Sequence, residues 1–142
     1  MIYLADVNFW LALAFESHTH HAAAVEWFDG MSPADRCAYS RMTQQGFLRL
    51  ATNPKAFDEE AVTLSQAWQM YDAFLADARV VFVQEPASIE PLWREFTIRN
   101  AFTPKVWNDA YLAAFARDAG YELVSFDRGF SRFSGLAHRI LS

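Results

Sequence analysis

Short apolar runs of strand character alternate along this chain with longer stretches of helical spacing, and that alternation constrains the fold more than any other feature. Ile2-Tyr3-Leu4-Ala5, Cys37-Ala38-Tyr39-Ser40, Arg79-Val80-Val81-Phe82-Val83 and Glu122-Leu123-Val124-Ser125-Phe126 read as strands, with a last short one over 137–141. Between them, residues 8–15, 21–28, 43–51, 62–78, 88–99 and 104–119 carry helical spacing. Asn53-Pro54 is expected to stop the third helix. Thr103 is expected to cap the last one, with Pro104 in its first turn and Gly120 at its end. Strands alternating with helices argue for an α/β domain around a mostly parallel sheet. The first and fourth strands are nearly all apolar, as strands covered on both faces should be. The expected fold is a three-layer α/β/α sandwich forming one domain over residues 1–142.

Composition narrows the class further. A chain of 142 residues, 53% hydrophobic and 20% charged, can fold on its own core and is not a disordered one. Its one cysteine, Cys37, cannot make an internal disulfide, which fits a reducing compartment. No apolar run approaches the ~20 residues of a bilayer helix. The first residues lack a basic segment and hold Asp6 inside their apolar stretch, so no signal peptide is expected. A soluble, cytoplasmic protein is the expectation. The net charge of −5 weighs at first against a nucleic-acid partner. Residues 56–103 hold the whole imbalance, however, and a divalent ion bound among carboxylates elsewhere would turn that site locally positive.

Three aspartates carry the functional information. Asp6 follows the first strand directly and Asp127 follows the fourth. In open parallel sheets, ligands bind beyond the carboxyl ends of the strands, so both carboxylates belong on the functional rim. Asp109 lies in the early turns of the 104–119 helix, whose start could face the same rim. Three clustered carboxylates repel one another, and a divalent ion would keep them ionised. Mg²⁺ or Mn²⁺ suits such an all-oxygen set. Each residue also has an ordinary role: Asp6 as a helix cap, Asp109 as an early-helix acid, Asp127 as a turn former. The pairing of strand-end aspartates from opposite ends of the chain favours a metal site.

Leu4-Ala5-Asp6-Val7-Asn8, the run from Trp107-Asn108-Asp109 to Ala116, and Leu123-Val124-Ser125-Phe126-Asp127-Arg128-Gly129-Phe130 resemble the three aspartate motifs of PIN-domain ribonucleases. The closer similarity is to VapC toxins of bacterial type II toxin–antitoxin pairs. Gly46-Phe47-Leu48-Arg49-Leu50-Ala51-Thr52-Asn53-Pro54 and the 21–28 helix resemble one VapC subgroup. This resemblance implies that Asp6, Asp109 and Asp127 are catalytic and hold one or two Mg²⁺ or Mn²⁺ ions for phosphodiester hydrolysis. It implies that Asn8 and Ser125 support the ligands, as short donors that fix carboxylate orientation. It also implies an RNA substrate (a tRNA or an rRNA loop), inhibition of translation, and a cognate antitoxin that blocks the acidic groove. One position departs from the family. Its usual glutamate is Gln44 here, with an amide oxygen but no charge. A weaker second metal, a site resting on three aspartates, or a disabled protein would each follow. A working enzyme is favoured, because three acids suffice for one Mg²⁺.

Other features have plainer readings. His18, His20 and His21 invite a zinc site, but the spacing of a helical His-Glu-x-x-His site is missing, so a solvated loop and helix start are expected. The tryptophans are expected in the core or on a dimer surface, and 16% aromatic residues favour a homodimer. Lys105, Arg128, Arg132 and Arg139 are candidate phosphate contacts. Arg49 is expected to pair with a site carboxylate or a surface acid. A haloacid-dehalogenase-type phosphatase would need Asp-x-Asp after the first strand, where this chain has Asn8. A degenerate PIN domain that binds RNA or a protein without cutting is the alternative that Gln44 supports.

Overall fold

The computed structural model describes residues 1–142. Five parallel strands, β1 (Ile2–Ala5), β2 (Arg36–Tyr39), β3 (Val80–Phe82), β4 (Glu122–Ser125) and β5 (His138–Ile140), form one sheet in the order β3-β2-β1-β4-β5. Seven α-helices accompany it: α1 (Val7–Ala14), α2 (His21–Asp29), α3 (Arg41–Ala51), α4 (Pro54–Phe57), α5 (Leu64–Leu75), α6 (Ile89–Ile98) and α7 (Val106–Ala119). The three-layer sandwich expected from the alternation is the fold observed.

Strand side chains alternate between two separate cores, as the pleat requires. Ala5, Cys37, Tyr39 and Val124 point into one, with Phe9, Trp10, Phe28, Phe47 and Tyr71 from α1, α2, α3 and α5. Leu4, Ala38 and Leu123 point into the other, with Phe96, Leu112 and Phe115 from α6 and α7. The strand order turns at β1: β2 and β3 lie on one side of it, β4 and β5 on the other. Such a switch point opens a crevice beyond the carboxyl ends of the two central strands. Here those ends lead into Asp6 and Asp127.

One local expectation is exceeded and two give way. Asn53-Pro54 does more than stop α3. The Asn53 side chain accepts from Lys55 N at 3.0 Å and Pro54 takes the first position of α4, a place where its missing N–H costs nothing. The last long helix begins at Val106, not Pro104. Thr103 does not cap it: its carbonyl closes a turn with Val106 N at 3.1 Å, and Lys105 occupies the cap position without a side-chain bond. Finally, α5 is shorter than 62–78, because Thr63 and Gln66 form a capping box at its start and a turn follows Leu75.

Gly46 sets the approach of α3 to α1. A Cβ there would lie 2.5 Å from Val7 Cγ2, on a stiff branched side chain next to Asp6. Gly46→Ala is therefore expected to cost about 1–3 kcal/mol in urea unfolding. Val7→Ala should recover part of that loss in the double variant, and additive losses would mean that the contact does not limit the packing.

Candidate active site

The site is built where β1 and β4 end. Asp6 leaves the sheet in extended conformation and caps α1, its Oδ1 accepting from Val7 N at 2.7 Å. Its backbone N–H still donates to Val124 O at 2.9 Å, which ties it to the neighbouring strand. The other carboxylate oxygen, Oδ2, accepts from Ser125 Oγ at 2.8 Å. Ser125 is fully buried, and its Oγ in turn accepts from Asn8 Nδ2 at 3.1 Å and Asp127 N at 3.0 Å. Asn8 Oδ1 accepts from Phe126 N at 3.3 Å. The hydroxyl thus gives one proton and receives two, linking both strand ends in one network.

Asp127 opens a 3-10 turn over Arg128–Arg132, its Oδ1 accepting from Gly129 N at 2.8 Å. Asp109 sits in the first turn of α7, and its Oδ2 accepts from Arg132 Nη2 at 3.3 Å. Asp6, Asp109 and Asp127 line a single cavity of about 270 Å³, together with Asn8, Arg49, Lys105 and Asn108. Asp6 and Asp127 therefore keep their ordinary capping roles, Asp109 stays an acid of the first helical turn, and all three face one space.

Electrostatics mark the three acids as one group. Burial pushes the Asp6 carboxyl up to about 6; its bonds from Ser125 and Val7 oppose this, while the charges of Asp109 and Asp127 add to it. Asp109 is also raised, first by burial and then by Asp127, against the pull of Arg132 and Lys105. Like charges sharing a partly desolvated space disfavour ionisation in this way. As they stand, no three His, Cys, Asp or Glu side chains converge closely enough to hold a metal ion. Arg132 instead provides the positive charge beside Asp109. The donor chemistry nevertheless fits a hard divalent cation, since carboxylate oxygens are the acidic ligands facing the cavity and a cation would relieve their repulsion.

Gln44 does not join this group. It is 6% exposed in the first turn of α3, and its Oε1 accepts from Arg41 Nη1 at 2.6 Å. The α3 residues that reach the cavity are Met42, Arg49 and Leu50. Arg49 pairs with no carboxylate, in the site or on the surface; its place on the cavity wall was hidden in the sequence, although Met42 and Arg49 share a helix face two turns apart. Among the other basic residues, Lys105 lines the cavity. Arg139 is drawn away by Glu122 at 3.2 Å. The histidines pack more than a solvated loop would. His20 stacks on Phe126 at 4.4 Å, His18 Nδ1 accepts from His20 N, and His21 Nδ1 contacts Ala12 O at 2.8 Å.

A parallel sheet with carboxylates at its switch point defines a class that the comparisons resolve. Residues 3–136 match the PIN domain family, and the chain belongs to it. Among its relatives, it is 43% identical to Ribonuclease VapC41 of Mycobacterium tuberculosis over 98% of each chain. It is 34% identical to Ribonuclease VapC38 of the same organism, over 89% of this chain and 85% of that one. The fold is shared with VapBC2 from Rickettsia felis, solved bound to a fragment of promoter DNA, at a TM-score of 0.75 and 16% identity over all of both chains. Mycobacterium tuberculosis VapC20, described as a Sarcin-Ricin loop cleaving toxin, aligns at a TM-score of 0.69 and 19% identity, covering 94% of this chain and 95% of that one. No helix of the present chain is long and apolar enough to cross a membrane.

Proposed function

We propose that this protein is a divalent-metal-dependent endoribonuclease, the toxin of a toxin–antitoxin pair, which cuts structured RNA such as a tRNA or rRNA loop in the cytoplasm and so blocks translation. The observation that carries this reading is the meeting of Asp6, Asp109 and Asp127, from β1, α7 and β4, on one cavity. The ribonuclease names of the relatives support it. These three aspartates would hold Mg²⁺ or Mn²⁺. The bound ion would supply an activated water and charge stabilisation at the scissile phosphate.

The chain's own residues do the positioning. Ser125 fixes Asp6 through Oδ2, and Asn8 fixes Ser125. Ser125→Ala removes a donor to one ligand and an acceptor for the Asp127 N–H, so Mn²⁺ affinity should fall about 10–100-fold in a calorimetric titration. An unchanged affinity would place Ser125 outside the site's support.

A cognate antitoxin is proposed as the partner that occupies this cavity, in line with the VapBC complexes among the fold neighbours. A homodimer is proposed through the start of α7, where Ile98, Phe102 and Trp107 are 81%, 80% and 59% exposed beside one another. Apolar surface gathered in this way marks an interface. The non-catalytic reading rests on Gln44 alone, and Gln44 stands outside the cavity.

Purified protein incubated with total bacterial RNA and Mg²⁺ or Mn²⁺ should give discrete fragments, and EDTA should stop their formation. RNA left intact with either ion would overturn the proposal; Gln44→Glu run alongside would show whether a fourth acid restores cutting.

A further inference from the structure

Arg128, beside Asp127, makes no ion pair but does not line the acid cavity, and the other cations near that cavity fall into two groups. Arg132 is committed to the protein: it binds Asp109, donates to Gly129 O at 3.0 Å and lies 4.6 Å above the Phe133 ring. Arg139 is held by Glu122 and lines a different cleft. Arg49 and Lys105 are different. Neither side chain makes an ion pair or a hydrogen bond, both are exposed, and both line the cavity that holds the three aspartates. They come from opposite layers of the sandwich. Arg49 lies in α3, which packs on the core with α1, and Lys105 precedes α7, which packs on the other core.

We infer that Arg49 and Lys105 seat the sugar–phosphate backbone of a single-stranded RNA segment across the acid cavity. This rests on the ribonuclease reading and adds the residues that grip the chain. A polyanion entering between three carboxylates needs counter-charge on the walls, and these are the two cavity cations not already used by the protein. Arg49 can grip a phosphate with two parallel N–H donors, whereas Lys105 acts as a point charge. Contacts from two layers fix the path of the strand past Asp6 and Asp127. They read no base, so their effect does not depend on sequence.

The test is binding of a short fluorescent oligouridylate, followed by anisotropy in EDTA so that cleavage does not compete, between about 50 and 200 mM KCl. Each phosphate contact on a single strand contributes about 0.7 to the slope of log K against log salt. Arg49→Ala and Lys105→Ala should each lower the slope by about 0.7, and the double variant by about twice that. Arg49→Lys should keep most of the slope. Arg94→Ala, which removes a surface cation paired with Glu90 on α6, should leave it unchanged. A native slope in both single variants would overturn the inference while leaving the ribonuclease reading intact. Failure of the unaltered protein both to bind the oligonucleotide and to cut RNA would overturn both.

Discussion

Asp6→Asn is expected to slow RNA cleavage by orders of magnitude and, at neutral pH, to make the protein more stable. The two effects have one cause. Asp6 is placed where its charge is costly to the fold: burial and the neighbouring carboxylates push its pKa up from 3.8 to about 6. A carboxyl raised in this way binds its proton more tightly in the folded chain than in the unfolded one. Its contribution is therefore fully present below about 3.8 and is lost as the pH rises through about 6. That displacement corresponds to roughly 3 kcal/mol of stability given up at pH 7. Asparagine keeps the cap on α1 and carries no charge. In the metal-free protein, thermal unfolding should show native stability rising as the pH falls from 7 towards 5. The Asp6→Asn curve should lack this component and lie above the native one at pH 7. Cleavage should fall about 10³-fold, about 4 kcal/mol of transition-state stabilisation. A variant that is less stable at pH 7, or that cuts RNA at close to the native rate, would remove Asp6 from the centre of the site.

The second large effect lies in the core beneath that site. Trp10 is fully buried on α1, the helix that Asp6 caps. It stacks on Tyr39 at 3.9 Å and an interplanar angle of 10°, with Phe74 at 5.3 Å and Phe9 at 5.4 Å. Trp10→Ala should cost about 3–5 kcal/mol in urea unfolding, since the cavity left among these rings cannot close. Against a total of about 5–15 kcal/mol for a domain, this leaves a marginal fold. Trp10→Phe should cost much less, because the indole Nε1 has no hydrogen-bond partner to lose. If the alanine variant unfolds at the native urea midpoint, α1 is not anchored through this stack.

Some of this architecture is legible in the residues alone, for identifiable reasons. The apolar run before Asp6 and the one before Asp127 mark central strands, and their terminal acids mark the rim, so β1, β4 and two of the three carboxylates can be placed without coordinates. Asp109 follows from its position early in a long helix. What the residues do not show is side-chain direction. Gln44 sits one residue from a buried threonine cap, and the pull of Arg41 on its amide keeps it off the cavity wall, which no spacing rule anticipates. Arg49 reaches the cavity because α3 lies close against α1 at Gly46, a packing fact set by Val7 across the contact. Lys105 stands where it does because α7 starts two residues later than its proline suggests.

The central claim is that Asp6, Asp109 and Asp127 act as one divalent-cation site, although the three side chains do not converge as they stand and Asp109 is paired with Arg132. Calorimetric titration of the purified protein with Mn²⁺, beside Asp109→Asn, tests it most directly. Saturable binding by the native protein, weakened at least about tenfold in the variant, is the expected result. No binding by the native protein, or equal binding by both, would contradict a shared site.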